Sequence, residues 1–185
     1  MTVSPDLDRR FREAALSLGL LDVGYDVLDS PLGPLLVAVS RDGLAAISYQ
    51  QRADEELERL ARIAGPAVLR SPRSVDDVRR ELDEYFAGRR RVFDLKLDLR
   101  GLAPFTVSVL NELAKVPFGA TTTYGTLAAR VSRPRAARAV GTVMNRNLIP
   151  IVLPCHRVVG AGGNLVGYAG GLERKTALLE LEGAI

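Results

Sequence analysis

The single cysteine of this chain stands in a run of side chains that could do chemistry, Pro154-Cys155-His156-Arg157. His156 is also the chain's one histidine. An imidazole and a guanidinium beside a thiol are groups that lower the thiol pKa and raise the thiolate fraction. The sequence therefore favours Cys155 as a nucleophile over the alternative of a buried cysteine that acts only as a small apolar side chain.

The two reactive side chains follow each other directly, and this limits how they can meet. Adjacent side chains of extended backbone point to opposite sides, so a direct hydrogen bond between Cys155 and His156 is awkward. A bridging water or a local turn fits better. The single histidine argues against a papain-like protease, which draws its histidine from far along the chain. A hydrolase that uses a Cys-His dyad on a small ester or peptide is retained as a rival.

One cysteine and one histidine rule out an internal disulfide and a zinc site built from four Cys and His ligands. A mixed site completed by carboxylates is the open alternative, and we expect neither a metal nor a cofactor. No apolar run approaches the ~20 residues that cross a bilayer, and the first twenty residues mix acidic and basic side chains rather than forming a signal peptide. We therefore expect no membrane contact and a cytoplasmic location.

Charge is distributed unevenly along the chain. Residues 113–172 contain no Asp or Glu and seven Lys or Arg, whereas the whole chain has a formal net charge of only +3. The rest of the chain is therefore acidic. A basic half on an acidic body is the electrostatic pattern of a protein that binds a polyanion. The alternative is a basic face that pairs with the acidic half of the same chain.

The N-terminal half predicts a small unit of strands and helices. Turn residues at 29–34 and 41–43 separate three β-rich runs, which suggests an antiparallel meander. Ser4 can cap the first helix, whose apolar face would include Leu7, Phe11 and Leu18. Alternating apolar side chains predict one more strand after the helices. The predicted elements are helices at 4–19, 54–64 and 75–87, and strands at 23–28, 35–40, 44–49 and 92–99.

The C-terminal half predicts a helical unit. A linker at 100–104 divides the chain into domains of residues 1–100 and 101–185. The tight turn between two short helices is typical of a helix-turn-helix, although many such hairpins bind nothing. Arg135 and Arg138 stand one turn apart on the second of them, opposite the small residues Ala137 and Gly141, so contacts with DNA phosphates are expected. The predicted helices are 104–114, 124–131 and 134–145.

Pro-Cys-His-Arg-Val at 154–158 resembles the active-site signature of the O6-alkylguanine-DNA alkyltransferases, also called methylated-DNA–protein-cysteine methyltransferases. The likeness runs in order over about residues 104–183, and residues 29–35 resemble the family's first hairpin more loosely. The other matching motifs are Val-Pro-Phe-Gly (116–119), Thr-Tyr-Gly (123–125), Ala-Ala-Arg-Ala-Val-Gly (136–141), Gly-Tyr-Ala-Gly-Gly-Leu (167–172), Lys175 and Leu-Leu-Glu-Leu-Glu-Gly (178–183).

The resemblance implies an α+β fold. A small antiparallel-sheet domain of ribonuclease H-like type would pack on a mostly helical domain with a winged-helix-like helix-turn-helix. It also implies DNA repair by stoichiometric transfer of an alkyl group to Cys155. The donor would be O6-alkylguanine in double-stranded DNA, with O4-alkylthymine as a further candidate donor. The nucleotide would be flipped out, and no cofactor would be needed. The protein is expected to be a monomer in solution, with cooperative assembly on DNA left open.

The resemblance also implies a role for each catalytic residue. Cys155 would accept the alkyl group, and His156 would deprotonate it through a water while Glu182 holds the imidazole in place. Asn147 would brace the turn in the helix-turn-helix and lie near the thiol. Tyr124 would donate a hydrogen bond or a proton to the departing guanine ring.

Further residues are implied to bind the substrate. Arg138 would enter the duplex and fill the gap left by the flipped nucleotide, and the backbone carbonyls of Cys155 and Val158 would read the guanine amine. The implied DNA contacts are Arg138, Arg135, Ala137 and Tyr124, and the implied pocket residues are Met144, Pro150, Val158, Tyr168 and Ala169.

Three departures from the family pattern are visible. Ala169 stands where some members carry a serine that contacts the substrate oxygen. The helix after Phe105 lacks the glutamines and the tryptophan that the family often has there, and the chain has no tryptophan. The N-terminal half carries an extra helix and no visible metal site. The main rival function is a lesion-binding or regulatory DNA-binding protein of the same fold that transfers nothing. Such relatives typically replace the acceptor cysteine, which is present here.

Overall fold

The computed structural model describes residues 4–49 and 53–185, and the chain forms two compact units. The first runs up to Glu84 and includes Asp94–Arg100, and the second consists of Tyr85–Phe93 and Gly101–Ile185. A single boundary near residue 100 stays a prediction. In the described part of the chain, no helix combines the length and the apolar character that crossing a membrane requires.

The first unit is built on a four-stranded sheet in the order β3-β2-β1-β4. The predicted meander is confirmed, because β1 pairs antiparallel with β2 and β2 with β3. The sequence did not predict β4, which pairs parallel with β1 and is only three residues long, too short for a periodic signal. The strands are β1 (Val23–Leu28), β2 (Leu35–Ser40), β3 (Gly43–Tyr49) and β4 (Val68–Arg70).

Three helices accompany this sheet, α1 (Pro5–Ser17), α2 (Ala53–Ala64) and α3 (Asp76–Phe86), with a 3-10 turn at Pro72–Val75 before the last. Ser4 caps α1 as predicted, since its Oγ accepts the Leu7 N–H at 3.3 Å. The predicted apolar face of α1 is not buried, however: Leu7, Phe11 and Leu18 are all exposed. Leu60 of α2 instead joins a buried cluster with residues of the sheet.

The strand predicted at 92–99 is wrong. A lone bridge joins Leu97 to Leu44 there, flanked by backbone hydrogen bonds that Leu44 makes with Lys96 and Asp98 at 2.8 Å each. Gly43 lets these backbones meet, because a Cβ at that position would overlap the Lys96 carbonyl. Side chains replace the rest of the ladder: Glu81 accepts the Asp94 N–H at 2.9 Å. The alternation of apolar residues is real, but among the described residues this backbone pairs with β3 only at the Leu97–Leu44 bridge.

The second unit is mostly helical, as predicted. Its elements are α4 (Pro104–Ala114), β5 (Thr122–Thr123), α5 (Tyr124–Arg130), α6 (Ala137–Asn145), a 3-10 turn at Cys155–Arg157, β6 (Val158–Val159) and α7 (Leu172–Leu181). The two short strands pair in parallel, with Thr122 opposite Val158. This pairing brings the residues just before α5 beside the residues just after Cys155.

The helix-turn-helix differs from its prediction at one end. We expected Pro134 to open the second helix, but α6 begins only at Ala137. The intervening residues form turns in which the Arg133 N–H donates to the Ala128 carbonyl and the Ala136 N–H to the Arg133 carbonyl, both at 2.8 Å. Ser132 enters this turn with a positive φ of 58°. Arg135 therefore lies in the turn, and Arg138 lies in the first turn of α6.

Candidate active site

Cys155 opens a single turn of 3-10 helix that continues through His156 and Arg157. The Cys155 N–H donates to the Leu153 carbonyl at 2.8 Å and the Arg157 N–H to the Pro154 carbonyl at 2.9 Å. The local turn considered from the sequence is thus present, and the apolar run before it is not an extended strand. Cys155 is only 5% exposed. A buried thiol in a tight turn has a fixed direction.

Glu182, which caps the end of α7, gathers the polar groups of this turn. Its Oε1 lies 3.0 Å from His156 Nε2, and its two oxygens accept hydrogen bonds from Arg157 at 2.7 and 2.8 Å. Tyr85 donates its hydroxyl to the same carboxylate at 2.7 Å. Glu182 is 5% exposed, so it is a buried carboxylate rather than a solvated one at the helix end.

The hydrogen bonds of Glu182 assign the tautomer of His156. Burial raises the pKa of Glu182, but hydrogen bonds from His156 and Arg157 outweigh it and bring the pKa to about 2. The ionised carboxylate can only accept, so Nε2 of His156 carries the proton. Burial lowers the pKa of His156 despite the opposing effect of Glu182, so the ring is neutral at pH 7. Its Nδ1 is buried and has no hydrogen-bond partner within the described residues, which leaves a lone pair that can accept a proton.

The electrostatics of Cys155 are opposite to the sequence expectation. Burial raises the pKa of its thiol to about 11, although a hydrogen bond from Asn147 and the charge of Lys175 act in the other direction. The imidazole of His156 is neutral and the guanidinium of Arg157 is paired with Glu182, so neither side chain acts as the expected positive charge, and His156 lowers the thiol pKa only through a backbone hydrogen bond. At neutral pH Cys155 is therefore a protonated thiol that needs a base.

Asn147 braces the loop that leads to the thiol. Its Nδ2 donates to the Leu153 carbonyl at 2.8 Å, and its Oδ1 accepts the Ile149 N–H at 3.1 Å. Between these points Ile151 has a φ of 75°, a left-handed conformation that a β-branched residue rarely adopts. These side-chain hydrogen bonds of Asn147 thus close the loop before Cys155 rather than the turn between α5 and α6, and its role in the reaction stays a prediction.

Tyr124 lies at the start of α5, within electrostatic reach of the thiol. Burial raises the pKa of its phenol, and the charge of Cys155 adds to this. Its hydroxyl donates to the Val166 carbonyl at 3.3 Å. Gly141 of α6 faces the ring, where a Cβ would lie 3.8 Å from two ring carbons. A methyl group at this position would therefore make ordinary van der Waals contact with the ring.

The expected pocket residues fall into two groups. Met144, Pro150 and Val158 are buried, whereas Tyr168 is half-buried and Ala169 exposed on the loop between β6 and α7. The two backbone carbonyls expected to read the guanine amine both accept hydrogen bonds, Cys155 from the Val158 N–H and Val158 from Lys175. A carbonyl oxygen has two lone pairs and can accept more than one hydrogen bond.

The expected DNA contacts lie around the turn of the helix-turn-helix. Arg135 and Arg138 are exposed, and no carboxylate of the described residues pairs with either. Ala137, between them, is half-buried. Arg130 and Arg133 are likewise exposed and lack an acidic partner in the described ranges. Basic groups that are not neutralised by the chain itself are suited to phosphates.

Two site residues escaped the sequence analysis. Tyr85 lies 97 residues from Glu182, so no local pattern could pair them. Lys175 entered only as part of a matching motif, although its spacing indicates that it is buried. One helix face at the spacing of a buried stripe holds Lys175, Leu178, Leu179 and Glu182. A lysine and a glutamate on a core-facing stripe mark positions with buried partners.

Two family models match the chain. The 6-O-methylguanine DNA methyltransferase DNA binding domain matches residues 104–184, and the 6-O-methylguanine DNA methyltransferase ribonuclease-like domain matches residues 23–99. The helix α1 precedes both matches.

Curated relatives and solved structures agree with these matches. The methylated-DNA–protein-cysteine methyltransferase of Methanosarcina acetivorans is 40% identical over 86% of this chain and 98% of its own length. The protein of that name from Mycobacterium tuberculosis is 41% identical over 86% of this chain and 92% of its own length. The structure of Mycobacterium tuberculosis OGT in complex with DNA superposes with a TM-score of 0.76 and 38% identity, covering 87% of this chain and 93% of that one.

Proposed function

The chain belongs to the 6-O-methylguanine DNA methyltransferase family, and from this membership we propose that it repairs DNA by moving the alkyl group of O6-alkylguanine onto its own Cys155. The proposal rests above all on one arrangement, a buried thiol in the same turn as a neutral histidine whose Nδ1 has no hydrogen-bond partner among the described residues. A thiol with a pKa of about 11 needs such a base. The acceptor must be Cys155 because the chain has no other cysteine.

The first step of the reaction is a proton transfer. The Cys155 proton passes through a water to Nδ1 of His156, which becomes an imidazolium. The ionised Glu182, 3.0 Å from Nε2, stabilises that positive charge and keeps the ring oriented. Arg157 and Tyr85 hold Glu182 in turn. Burial of the whole cluster strengthens these interactions relative to water.

The second step is the alkyl transfer itself. The Cys155 thiolate attacks the alkyl carbon, a carbon–sulfur bond forms, and the bond between that carbon and O6 breaks. Its electron pair goes to the guanine, and the Tyr124 phenol, whose raised pKa keeps it protonated, donates a hydrogen bond or a proton to the ring. The thioether product has no hydrolysable bond. Each molecule therefore reacts once, and the protein is both catalyst and final acceptor.

DNA is the partner of the helix-turn-helix in this proposal. The alkylated oxygen lies inside the base stack, so the nucleotide is flipped out at a cost of a few kcal/mol. Arg135 and Arg138 carry charges that the described chain does not neutralise, and they face the phosphates or the vacated space in the duplex. Met144, Pro150 and Val158 form the buried wall of the alkyl pocket, and Tyr168 and Ala169 close it from the loop.

The direct test is a mass measurement. The protein is mixed with duplex DNA that contains O6-methylguanine, and the intact protein and its tryptic peptide around Cys155 are weighed. We expect the mass of one methyl group, located on Cys155, and one equivalent of repaired DNA. Tight DNA binding with an unmodified thiol would instead identify a lesion-binding protein without transfer. Product beyond one equivalent would identify a hydrolase.

Arg138→Ala is expected to separate nucleotide flipping from chemistry. If Arg138 fills the gap in the duplex, its removal slows single-turnover repair of saturating duplex DNA by about tenfold, or about 1.4 kcal/mol. The reaction with free O6-benzylguanine base, which needs no flipping, should keep its rate. The rate constants of both reactions are measured by quenched flow on the same preparations.

Arg130→Ala is the matched control for this experiment. Arg130 is also exposed and without an acidic partner in the described residues, but it ends α5 rather than opening α6. If either arginine only binds a phosphate, replacing it lowers the salt dependence of DNA affinity without changing the rate of the bound complex. Equal slowing of the duplex and free-base reactions by Arg138→Ala would refute the gap-filling role.

A further inference from the structure

Lys175 is a fully buried lysine beside the proposed acceptor. Its exposed fraction is 0%, and it shares a face of α7 with the buried Leu178 and Leu179. A buried ammonium is costly unless it is hydrogen-bonded, so its partners define what it does. The proposed reaction assigns it no step.

The partners of Lys175 lie on two separate segments. Its Nζ donates to the Val158 carbonyl at 2.6 Å and to the Val166 carbonyl at 2.8 Å. Val158 is the first residue after the turn of Cys155, and Val166 belongs to the loop between β6 and α7. The Tyr124 hydroxyl donates to the same Val166 carbonyl at 3.3 Å. The Lys175 ammonium thus connects β6 with the loop between β6 and α7, and it shares the Val166 carbonyl with the Tyr124 hydroxyl.

Lys175 is also the cation that acts on Cys155. The charged or titratable groups of the described residues around the thiol are Lys175 on α7, Tyr124 on α5, and His156 and Arg157 in its own turn. Tyr124 and His156 are neutral at pH 7, and Arg157 is paired with Glu182. The charge of Lys175 lowers the pKa of Cys155 against the larger effect of burial, and a thiolate at Cys155 in turn raises the pKa of Lys175, which burial lowers.

We propose that Lys175 is a positioning residue with two effects: it holds the Val158 and Val166 carbonyls at the mouth of the alkyl pocket, and its ammonium stabilises the thiolate formed at Cys155. This inference rests on the proposed function, because it assigns Cys155 as the acceptor. The bond to Val158 occupies one lone pair of that carbonyl and fixes the direction of the other. The bond to Val166 fixes the acceptor of Tyr124, so the phenol and the loop keep one arrangement.

The two effects are separated by two substitutions. Lys175→Gln keeps hydrogen-bond donors but removes the charge, whereas Lys175→Arg keeps the charge but changes the donor geometry. Leu178→Met, one turn further along the same buried face, controls for disturbed packing. Folding of each variant is checked by circular dichroism. If both Lys175 variants fail to fold while Leu178→Met folds, the lysine is structural and the proposal is overturned.

The decisive measurement is the pH-rate profile of alkylation of Cys155 by iodoacetamide between about pH 7 and pH 8 in the absence of DNA, a range in which the thiol is protonated and Lys175 carries its charge. The chain has one cysteine, so no other thiol contributes. For Lys175→Gln we expect the rate constant to be about tenfold lower across this range, equivalent to a thiol pKa higher by about one unit. Lys175→Arg should keep the wild-type rate constant. A Gln profile that coincides with wild type, or an Arg profile lowered as far as the Gln profile, contradicts the charge effect.

Transfer from O6-methylguanine duplex DNA tests the positioning effect on the same variants. Lys175→Arg should transfer about tenfold more slowly than wild type at equal thiol reactivity, because its two carbonyls are held differently. Transfer at the wild-type rate would overturn the positioning role. The failure of the proposed function remains distinguishable: wild-type protein would then gain no methyl group, while the iodoacetamide profiles would still report the charge of Lys175.

Discussion

Cys155→Ser is expected to bind duplex DNA containing O6-methylguanine with the affinity of the wild-type protein and to transfer no methyl group. A serine hydroxyl retains the approximate size and the hydrogen bond of the thiol, but its alkoxide is far harder to form. The charges assigned to DNA binding lie on the helix-turn-helix and are untouched. Fluorescence anisotropy measures the affinity, and the intact mass after incubation measures the transfer.

The same position also tests the alternative of a structural cysteine. Cys155 is buried, so Cys155→Ala removes one packed atom and should lower the free energy of unfolding by about 1 kcal/mol. Both variants should therefore remain folded and bind DNA alike. Joint loss of DNA binding and transfer would indicate that the cysteine supports the fold. Transfer by either variant would indicate an acceptor other than Cys155.

The elements that the sequence predicted correctly have strong local signals. The turn at 29–34 fixes the β1–β2 hairpin, in which Leu28 pairs with Leu35. The strand expected at 92–99 had an equally clear alternation, but strand pairing depends on a neighbour that no local pattern reveals. Pro134 failed as a helix start for a similar reason, since backbone hydrogen bonds of Arg133 and Ala136 close a turn there first.

The site shows the same division between local and distant signals. Cys155 and His156 could be singled out from residue type alone, and the resemblance added Glu182. The direction of the Cys155 pKa shift could not be predicted, because it depends on burial and on where the neighbouring side chains turn. Arg157 stands two residues from the thiol in sequence yet binds Glu182 and the Val116 carbonyl. Sequence proximity located the reactive residue but not its electrostatic environment.

Glu182→Gln is expected to slow methyl transfer by on the order of a hundredfold and to lower the free energy of unfolding by about 3 kcal/mol. The substitution keeps the shape of the side chain but leaves Arg157 buried without its counter-charge. It also lets the amide donate toward His156, which removes the preference for a proton on Nε2. Single-turnover transfer kinetics and urea unfolding at pH 7 measure the two effects.

Glu182→Gln should also change how the free energy of unfolding depends on pH. Burial opposes ionisation of Glu182, but its hydrogen bonds bring the pKa to about 2, below the ordinary 4.5. A carboxylate with a lowered folded pKa contributes stability above its unfolded pKa, and that contribution is lost as pH falls from about 4.5 toward about 2. Wild-type protein should therefore lose stability in this window, and Glu182→Gln should lose less.

Glu180→Gln is the matched control, because Glu180 lies two residues away on α7 and is exposed. It should change neither the transfer rate nor the acid dependence. Tyr85→Phe removes one donor to Glu182 and leaves His156 and Arg157 in place, so its effects should be smaller than those of Glu182→Gln and of the same sign. If Glu182→Gln transferred at the wild-type rate, His156 would not need its carboxylate, and the base that accepts the Cys155 proton would have to be sought elsewhere.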